Sequence, residues 1–379
     1  MSVYHQMGHD SENLLSDNNL SLYKGAVMSP VNTDEETMRA CIAIHGSDSF
    51  EMIFDPQLYF PSAERGSLPE WSYFPSDVDT AEQTSIRWWR NIVIKLSSAA
   101  RRLHPHAVCS PAVVPRVYSN EYYALNQQVS YLLKERLARH GIEVLQTLIV
   151  SLSDLSEERR PAEIASITTS SEVNRVYLVL IGDLAPRREL QDPNCIKGAM
   201  KLIRYLSGAG IRMLVGFSSS DQLLWKFAGA RDCATGKFFN LRRFTPSRFI
   251  EPSEGRGQVP YWFEESLMAY IRESDLERIK ERDFLSNASR SNPFSAQILE
   301  QMNTAPGRPW LGLSWRQYLY WFADFELRFS RGEIEADSLL QEAEDRWGRL
   351  EEYRILFEER RNDGNWLRQW RRSLVEAFA

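Results

Sequence analysis

The chain has 379 residues, 43% of them apolar and 12% aromatic, with 51 acidic against 45 basic side chains and a net charge of −6. That composition excludes a disordered chain. It also excludes a protein that holds nucleic acid through bulk positive charge, while leaving room for a local basic face. The four cysteines, Cys41, Cys109, Cys195 and Cys233, make no C-x-x-C pair, which fits a reducing compartment and gives neither a disulfide framework nor a zinc knuckle.

Residues 1–20 are polar with no apolar core, so they read as a loose arm and not as a signal peptide. No apolar run approaches the roughly 18 residues needed to span a bilayer, and a cytoplasmic protein with no membrane partner is expected. From about residue 23 onward, short apolar runs alternate with helix-period segments. The runs are 25–29, 51–54, 106–110, 143–150, 175–181 and 212–217, with weaker ones at 231–234 and 259–263. Each is continuous, as suits strands buried on both faces of a parallel sheet. Between them, Trp89, Ile92, Val93, Leu96, Ala100 and Leu103 fall at helical spacing. So do Leu125, Val129, Leu132, Leu133 and Leu137, before a His140-Gly141 stop, and Ile196, Met200, Ile203 and Leu206. Gln222–Ala228 predicts a shorter helix.

Eight strands alternating with helices over roughly 240 residues is the count and size of a (β/α)8 TIM barrel. A doubly wound open sheet is the rival, because periodicity does not show closure. Residues 61–83 form a long loop of the kind that covers a site. After residue 265 only helical patterns remain, with aromatic stripes at Tyr318, Trp321, Phe322, Phe325 and Phe329 and at Leu340, Ala343, Trp347, Leu350 and Phe357. The expected organisation is an arm (1–20), a barrel (21–265) and an all-helical C-terminal region (266–379).

Barrel chemistry belongs at the C-terminal ends of strands. The polar residues just past the apolar runs are Asp55 with Gln57, Ser110, Gln146, Gly182-Asp183, Ser218-Ser219-Ser220-Asp221, and Asp232 with Thr235-Gly236-Lys237. Such carboxylates and amides can fix a polar ligand and act as acid, base or nucleophile. Each also has a plainer reading. Asp55 precedes a proline and opens a turn. Gln146 is a buried core hydrogen bonder. Asp183 caps a helix, and Asp221 caps the helix that follows it.

Lys237, Arg242, Arg243 and Arg248 lie within one short segment interleaved with Phe238, Phe239 and Phe244. This is either a patch for phosphates and stacked bases or a surface charge cluster. No metal or cofactor is expected: all six histidines precede residue 141, and His104 and His106 flank a proline at a strand start, the structural end of a barrel.

The stretch from Arg212 through Gly216, Asp221 and Leu224 to Asp232-Cys233 resembles the tRNA-guanine transglycosylase family, including relatives that insert deazaguanines into DNA. Ile53-Phe54-Asp55, Val144-Leu145-Gln146 and Leu180-Ile181-Gly182-Asp183-Leu184-Ala185 resemble other family motifs in the same order. The resemblance implies base exchange, in which a carboxylate attacks the sugar carbon bearing guanine and a deazapurine replaces the departing base. Asp55 would be the acid/base and Asp232 the nucleophile. In the other alignment of this stretch Thr235 stands at the nucleophile position and the chemistry is lost. Gln57, Ser110, Gln146, Gly182, Asp183, Ser219 and Thr235 would surround the base.

Ser110 replaces the family's guanine-reading aspartate, and the family's zinc site is absent. The implied partners are DNA or RNA and a purine or deazapurine base, with the C-terminal helices available for a homodimer or protein contact. The alternatives are a non-catalytic barrel that binds nucleic acid or protein, and a barrel enzyme on a small phosphorylated metabolite.

Overall fold

The computed structural model describes residues 3–250, 259–282, 284–359 and 362–378, without the side chains of 248 and 250. Among these, eight strands close into a barrel in chain order: β1 (Val3–Gln6), β2 (Gly25–Met28), β3 (Glu51–Phe54), β4 (Ala107–Cys109), β5 (Glu143–Ser151), β6 (Arg175–Ile181), β7 (Arg212–Val215) and β8 (Asp232–Thr235). Every pairing is parallel, and β1 closes the ring by pairing with both β2 and β8.

Two expectations are corrected here. Residues 3–6 are no loose arm: Val3, Tyr4, His5 and Gln6 are buried and form the first strand. The run at 259–263 is not a barrel strand. Its end enters β9 (Trp262–Glu264), which pairs antiparallel with β10 (Ala269–Ile271) outside the barrel.

Side chains alternate along each strand. Tyr4, Val27, Ile53, Leu145, Ile149, Tyr177, Leu214 and Ala234 fill the interior. Val3, Met28, Val144, Leu148, Val176, Met213 and Cys233 pack outward against helices. The short α1 (Glu12–Leu15) lies in the β1–β2 crossover. The helices that follow β2 to β7 include α2 (Glu35–His45), α3 (Ile86–Leu103), α4 (Asn120–Leu137), α5 (Leu152–Leu155), α6 (Arg160–Thr169), α7 (Pro193–Gly208) and α8 (Gln222–Phe227). Their boundaries follow local chemistry. Asp34 and Asp192 accept the first free amides of α2 and α7, and Gly141 ends the α4 region in the left-handed conformation, φ 67°. The 61–83 loop buries Trp71 and Tyr73 against Phe54.

Beyond α9 (Ser247–Ile250) come α10 (Glu273–Glu281), α11 (Asn287–Ser291), α12 (Ser295–Thr304), α13 (Leu311–Ser330), α14 (Ala336–Glu352) and α15 (Asn365–Glu376). Their aromatic stripes are core: Tyr318, Trp321, Phe322, Phe325, Trp347, Trp366 and Trp370 are buried in one cluster with barrel helices. Helix α13 lies against the outside of the barrel. There Tyr318 bonds Thr235, the Tyr23 hydroxyl donates to the Leu319 carbonyl, and Gln222 donates to the Phe322 carbonyl.

Candidate anion-binding cleft at the C-terminal face

The two ends of the barrel carry different polar groups. At the N-terminal end, Arg175 donates to Glu51 (2.6 Å) and Glu143 (2.7 Å), and Glu143 also pairs with Arg212. Tyr4 donates to Glu51 at 2.5 Å. Asp232 belongs to this end. It is the first residue of β8, and its spacing from Ala234 turns it inward. Burial raises its pKa, Lys24 and Arg175 oppose the rise, and its Oδ1 accepts no hydrogen bond.

Asp55 follows the last residue of β3, at the C-terminal end. The two carboxylates assigned to base exchange therefore lie at opposite ends of parallel strands. The sequence places Asp232 in a weak run without showing that the strand starts there.

Around Asp55 the mouth of the barrel holds a buried network. Tyr59 donates to Asp55 Oδ2 at 2.7 Å, and the Gln57 amide donates to Oδ1 at 3.1 Å. Tyr177 donates to Gln6 at 3.0 Å, and Ser29 to Gln57 at 3.1 Å. Gln57 (φ 51°) and Phe217 (φ 53°) both sit in the left-handed region, a costly conformation that the surrounding packing must hold. Rings cover the network: Tyr59, Phe217, Phe244 and Phe249 meet at centroid distances of 5.2–5.5 Å. Asp55 is only 1% exposed beneath them.

The other predicted residues scatter. Gln146 faces outward beside Val144 and Leu148, away from the mouth, by strand alternation. Ser110 ties β4 to β5 through both Thr147 bonds. Ser219 bonds the Tyr270 hydroxyl, and Ser220 donates to Glu189. Thr235 faces outward onto Tyr318. Asp221 does not cap α8; it accepts the Ser219 amide and pairs with Arg243 at 3.2 Å. Gly182 and Asp183 line a separate cleft of about 510 Å³ with Ser151, Leu152 and Cys195.

The basic segment divides. Arg243 is held internally by Asp221, Glu189 and the Arg188 carbonyl. Arg248's side chain lies outside the described residues. Lys237 and Arg242, 4% and 3% exposed, line a cleft of about 480 Å³ between the β6 and β8 loops and the C-terminal helices. Arg187, Arg188 and Arg272 join them, with Phe238, Phe239, Tyr261 and Trp315.

Lys237 Nζ lies 4.8 Å from the centroids of both Phe238 and Trp315 and donates to the Asp10 carbonyl. Arg242 stacks 3.5 Å from the Tyr318 centroid and donates to the carbonyls of Gly236 and Lys237. At the rim, Glu359 takes Arg187 (3.2 Å) and Arg272 (3.0 Å). Among the described residues no carboxylate lies within ion-pair distance of Arg188, Lys237 or Arg242. Cations and aromatic faces without a counter-charge suit an anion that carries a planar group.

A second cleft, of about 220 Å³, shares Arg187, Arg188 and Arg272 with the first and adds Glu189, Tyr270 and Asn362. Burial, opposed by Arg243 and reinforced by Asp221, pushes Glu189 up to about 7. A carboxyl group tuned to that range can give and take protons near neutrality. The sequence reading missed Glu189 although Arg187-Arg188-Glu189 stands in the loop after β6. The visible signal was a basic pair followed by an acid just past a strand end. Tyr177 and Gln6 were missed because their pairing comes only from barrel closure.

No family model matches the chain, and no curated protein matches it. Similar solved structures include a glycosyl hydrolase of the GH3 family from Mycobacterium smegmatis, 10% identical over 62% of this chain and 83% of that one with a TM-score of 0.40. L-ribulose 3-epimerase is 10% identical over 88% and 96%, TM-score 0.39. An O-GlcNAc hydrolase mutant from Thermobaculum terrenum is 12% identical over 100% and 95%, TM-score 0.39. Among the described residues no helix is long and apolar enough to cross a membrane.

Proposed function

We propose that the protein is a barrel enzyme acting on a small phosphorylated metabolite. The phosphate sits in the basic cleft against Arg188, Lys237 and Arg242, and a planar part of the ligand lies on Trp315 or Phe238. Glu189, in the adjoining cleft, moves the proton. The observation that carries this reading is a set of cations at the C-terminal face with no carboxylate partner among the described residues. Three buried or half-buried positive groups kept together cost solvation energy unless an anion joins them.

Base exchange on guanine in nucleic acid, which the motif resemblance implies, needs two carboxylates at one nucleoside. The geometry favours the metabolite reading, because Asp55 and Asp232 do not share a pocket and Asp55 lies under aromatic rings. A non-catalytic nucleic-acid or protein module has less support. Arg243 is consumed by internal ion pairs, and the C-terminal aromatics are buried.

Calorimetry and thermal melts of the full chain with inorganic phosphate, a sugar phosphate, a nucleoside monophosphate and a single-stranded oligonucleotide test the proposal. Small phosphorylated compounds should bind and raise the melting midpoint, and salt should weaken them. Their unphosphorylated parents should not bind. Binding of the oligonucleotide alone would return the protein to the nucleic-acid module, and no binding by any phosphate compound would end the metabolite reading.

A further inference from the structure

Away from both clefts, three metal-binding side chains converge between α1 and α2. Cys41 and His45 stand four residues apart on α2, so both project from one helical face. Glu12 reaches them from α1. One ligand atom from each, the Cys41 sulfur, a His45 nitrogen and a Glu12 oxygen, lies within 4.8 Å of the other two. His45 Nε2 is 3.6 Å from Glu12 Oε1. Zinc bonds of 2.0–2.2 Å at a tetrahedral angle require about 3.4 Å between such atoms, so this pair needs almost no movement to share an ion.

We propose that Glu12, Cys41 and His45 form a zinc site that fastens the β1–β2 crossover to α2. The donor set selects the metal. A thiolate and an imidazole favour Zn²⁺ over Mg²⁺ or Ca²⁺, which prefer oxygen ligands throughout. Three protein ligands leave one tetrahedral position, and solvent fills it. The Glu12 side chain is 45% exposed and that of His45 is 12% exposed, so water has access, while Cys41 is buried at 4%. Binding converts the Cys41 thiol to a thiolate, with its proton released to solvent. His45 binds as neutral imidazole and Glu12 as carboxylate, so the thiol proton is one that Zn²⁺ binding must release. Cys109 and Cys233 face the barrel interior and the helix layer and belong to no such cluster among the described residues.

The site is separate from the basic cleft, so the test does not depend on the proposed function. The full chain, stripped with a chelator, is titrated with Zn²⁺ against a chromophoric competitor and with Co²⁺ under an absorption spectrometer. One equivalent should bind, and the Co²⁺ form should show a thiolate-to-cobalt charge-transfer band in the near ultraviolet. Cys41→Ser should abolish that band. His45→Gln should keep it while weakening Zn²⁺ by roughly a hundredfold. At equal concentration Zn²⁺ should raise the melting midpoint of the wild-type chain more than that of His45→Gln, and this partly exposed substitution serves if Cys41→Ser does not fold. Absence of saturable Zn²⁺ binding overturns the proposal. So does a charge-transfer band that survives in Cys41→Ser, which would place the metal on another thiol such as Cys195.

Discussion

At the N-terminal end of the barrel Arg175 and Arg212 each face a carboxylate, whereas at the C-terminal face Lys237 and Arg242 face carbonyls and rings. Both ends bury charge in one small protein region, so burial does not distinguish them. Completeness does. At the floor Arg175 and Arg212 are each matched by a carboxylate, although Asp232 keeps one oxygen without a hydrogen bond, as expected of a part that holds the barrel together. Among the described residues the cleft leaves positive charge unanswered beside open volume, as expected of a part that waits for an anion. Asp232 and Asp55 differ in the same way as their ends: one is a floor residue, the other a mouth residue.

The sharpest way to break this contrast is to damage the floor. Arg175→Met removes the centre of the ion network, leaving Glu51 without its arginine and Glu143 with Arg212 alone. Breaking such a network costs about 3–5 kcal/mol, read as a lower urea midpoint at unchanged slope. Phosphate affinity in the folded fraction should stay the same. If Arg175→Met instead lost binding at wild-type stability, the two ends would not be divided as drawn.

Glu189 sets the next effect, and its sign is fixed. An unfolded glutamic acid titrates near 4.3, while burial pushes Glu189 up to about 7 in the fold. Between those values the folded chain keeps a proton that the unfolded chain has released. The stability Glu189 contributes is therefore complete below about pH 4 and is lost as pH rises to about 7, on the order of 3–4 kcal/mol. Glu189→Gln should flatten that part of the stability profile. If Glu189 moves the proton in turnover, the variant should also remove the limb near pH 7 from the rate profile.

Removing a cleft cation is smaller in stability and larger in binding. Lys237→Met keeps the aliphatic stem between Phe238 and Trp315 but deletes the charge. Arg188→Gln does the same at the shared wall of the two clefts. A lost charge-assisted hydrogen bond of about 1.5–3 kcal/mol corresponds to roughly a ten- to hundredfold weaker phosphate complex. Equal affinity in both variants would show that the cleft cations are structural, like those of the floor.

These contrasts also explain what the sequence could show. Continuous apolar runs marked β2 to β8 because parallel strands are buried on both faces. Val3–Gln6 escaped, since Tyr4, His5 and Gln6 look polar until closure buries them and gives Tyr4 and Gln6 partners on other strands. The run at 259–263 misled because a hairpin strand in a helical cap is as apolar as a barrel strand. In the site, the Lys237–Arg243 segment was visible as charge density, but which cations are free was not. That depends on Glu189 and Asp221 arriving from other loops to take Arg243 and leaving Arg242 alone. Asp232 was misplaced because sequence reveals a short strand more readily than its first residue.

The smallest predicted change tests the mouth, which lies between floor and cleft. A Cβ at Gly216 would stand 2.5 Å from a Tyr177 ring carbon and 2.6 Å from its hydroxyl, so Gly216→Ala forces the ring to shift and strains its bond to Gln6. Overpacking of this kind costs about 1–3 kcal/mol. Tyr177→Phe should not rescue it, because the clash is with ring carbons as well as with the hydroxyl. Tyr177→Val should rescue it, since the obstructing ring is gone, and the double mutant should then be less destabilised than the two single costs added together. Phosphate binding should be unchanged throughout, because neither residue lines the cleft. A loss of binding in Gly216→Ala, recovered in the double mutant, would instead join the mouth network to the cleft as one site.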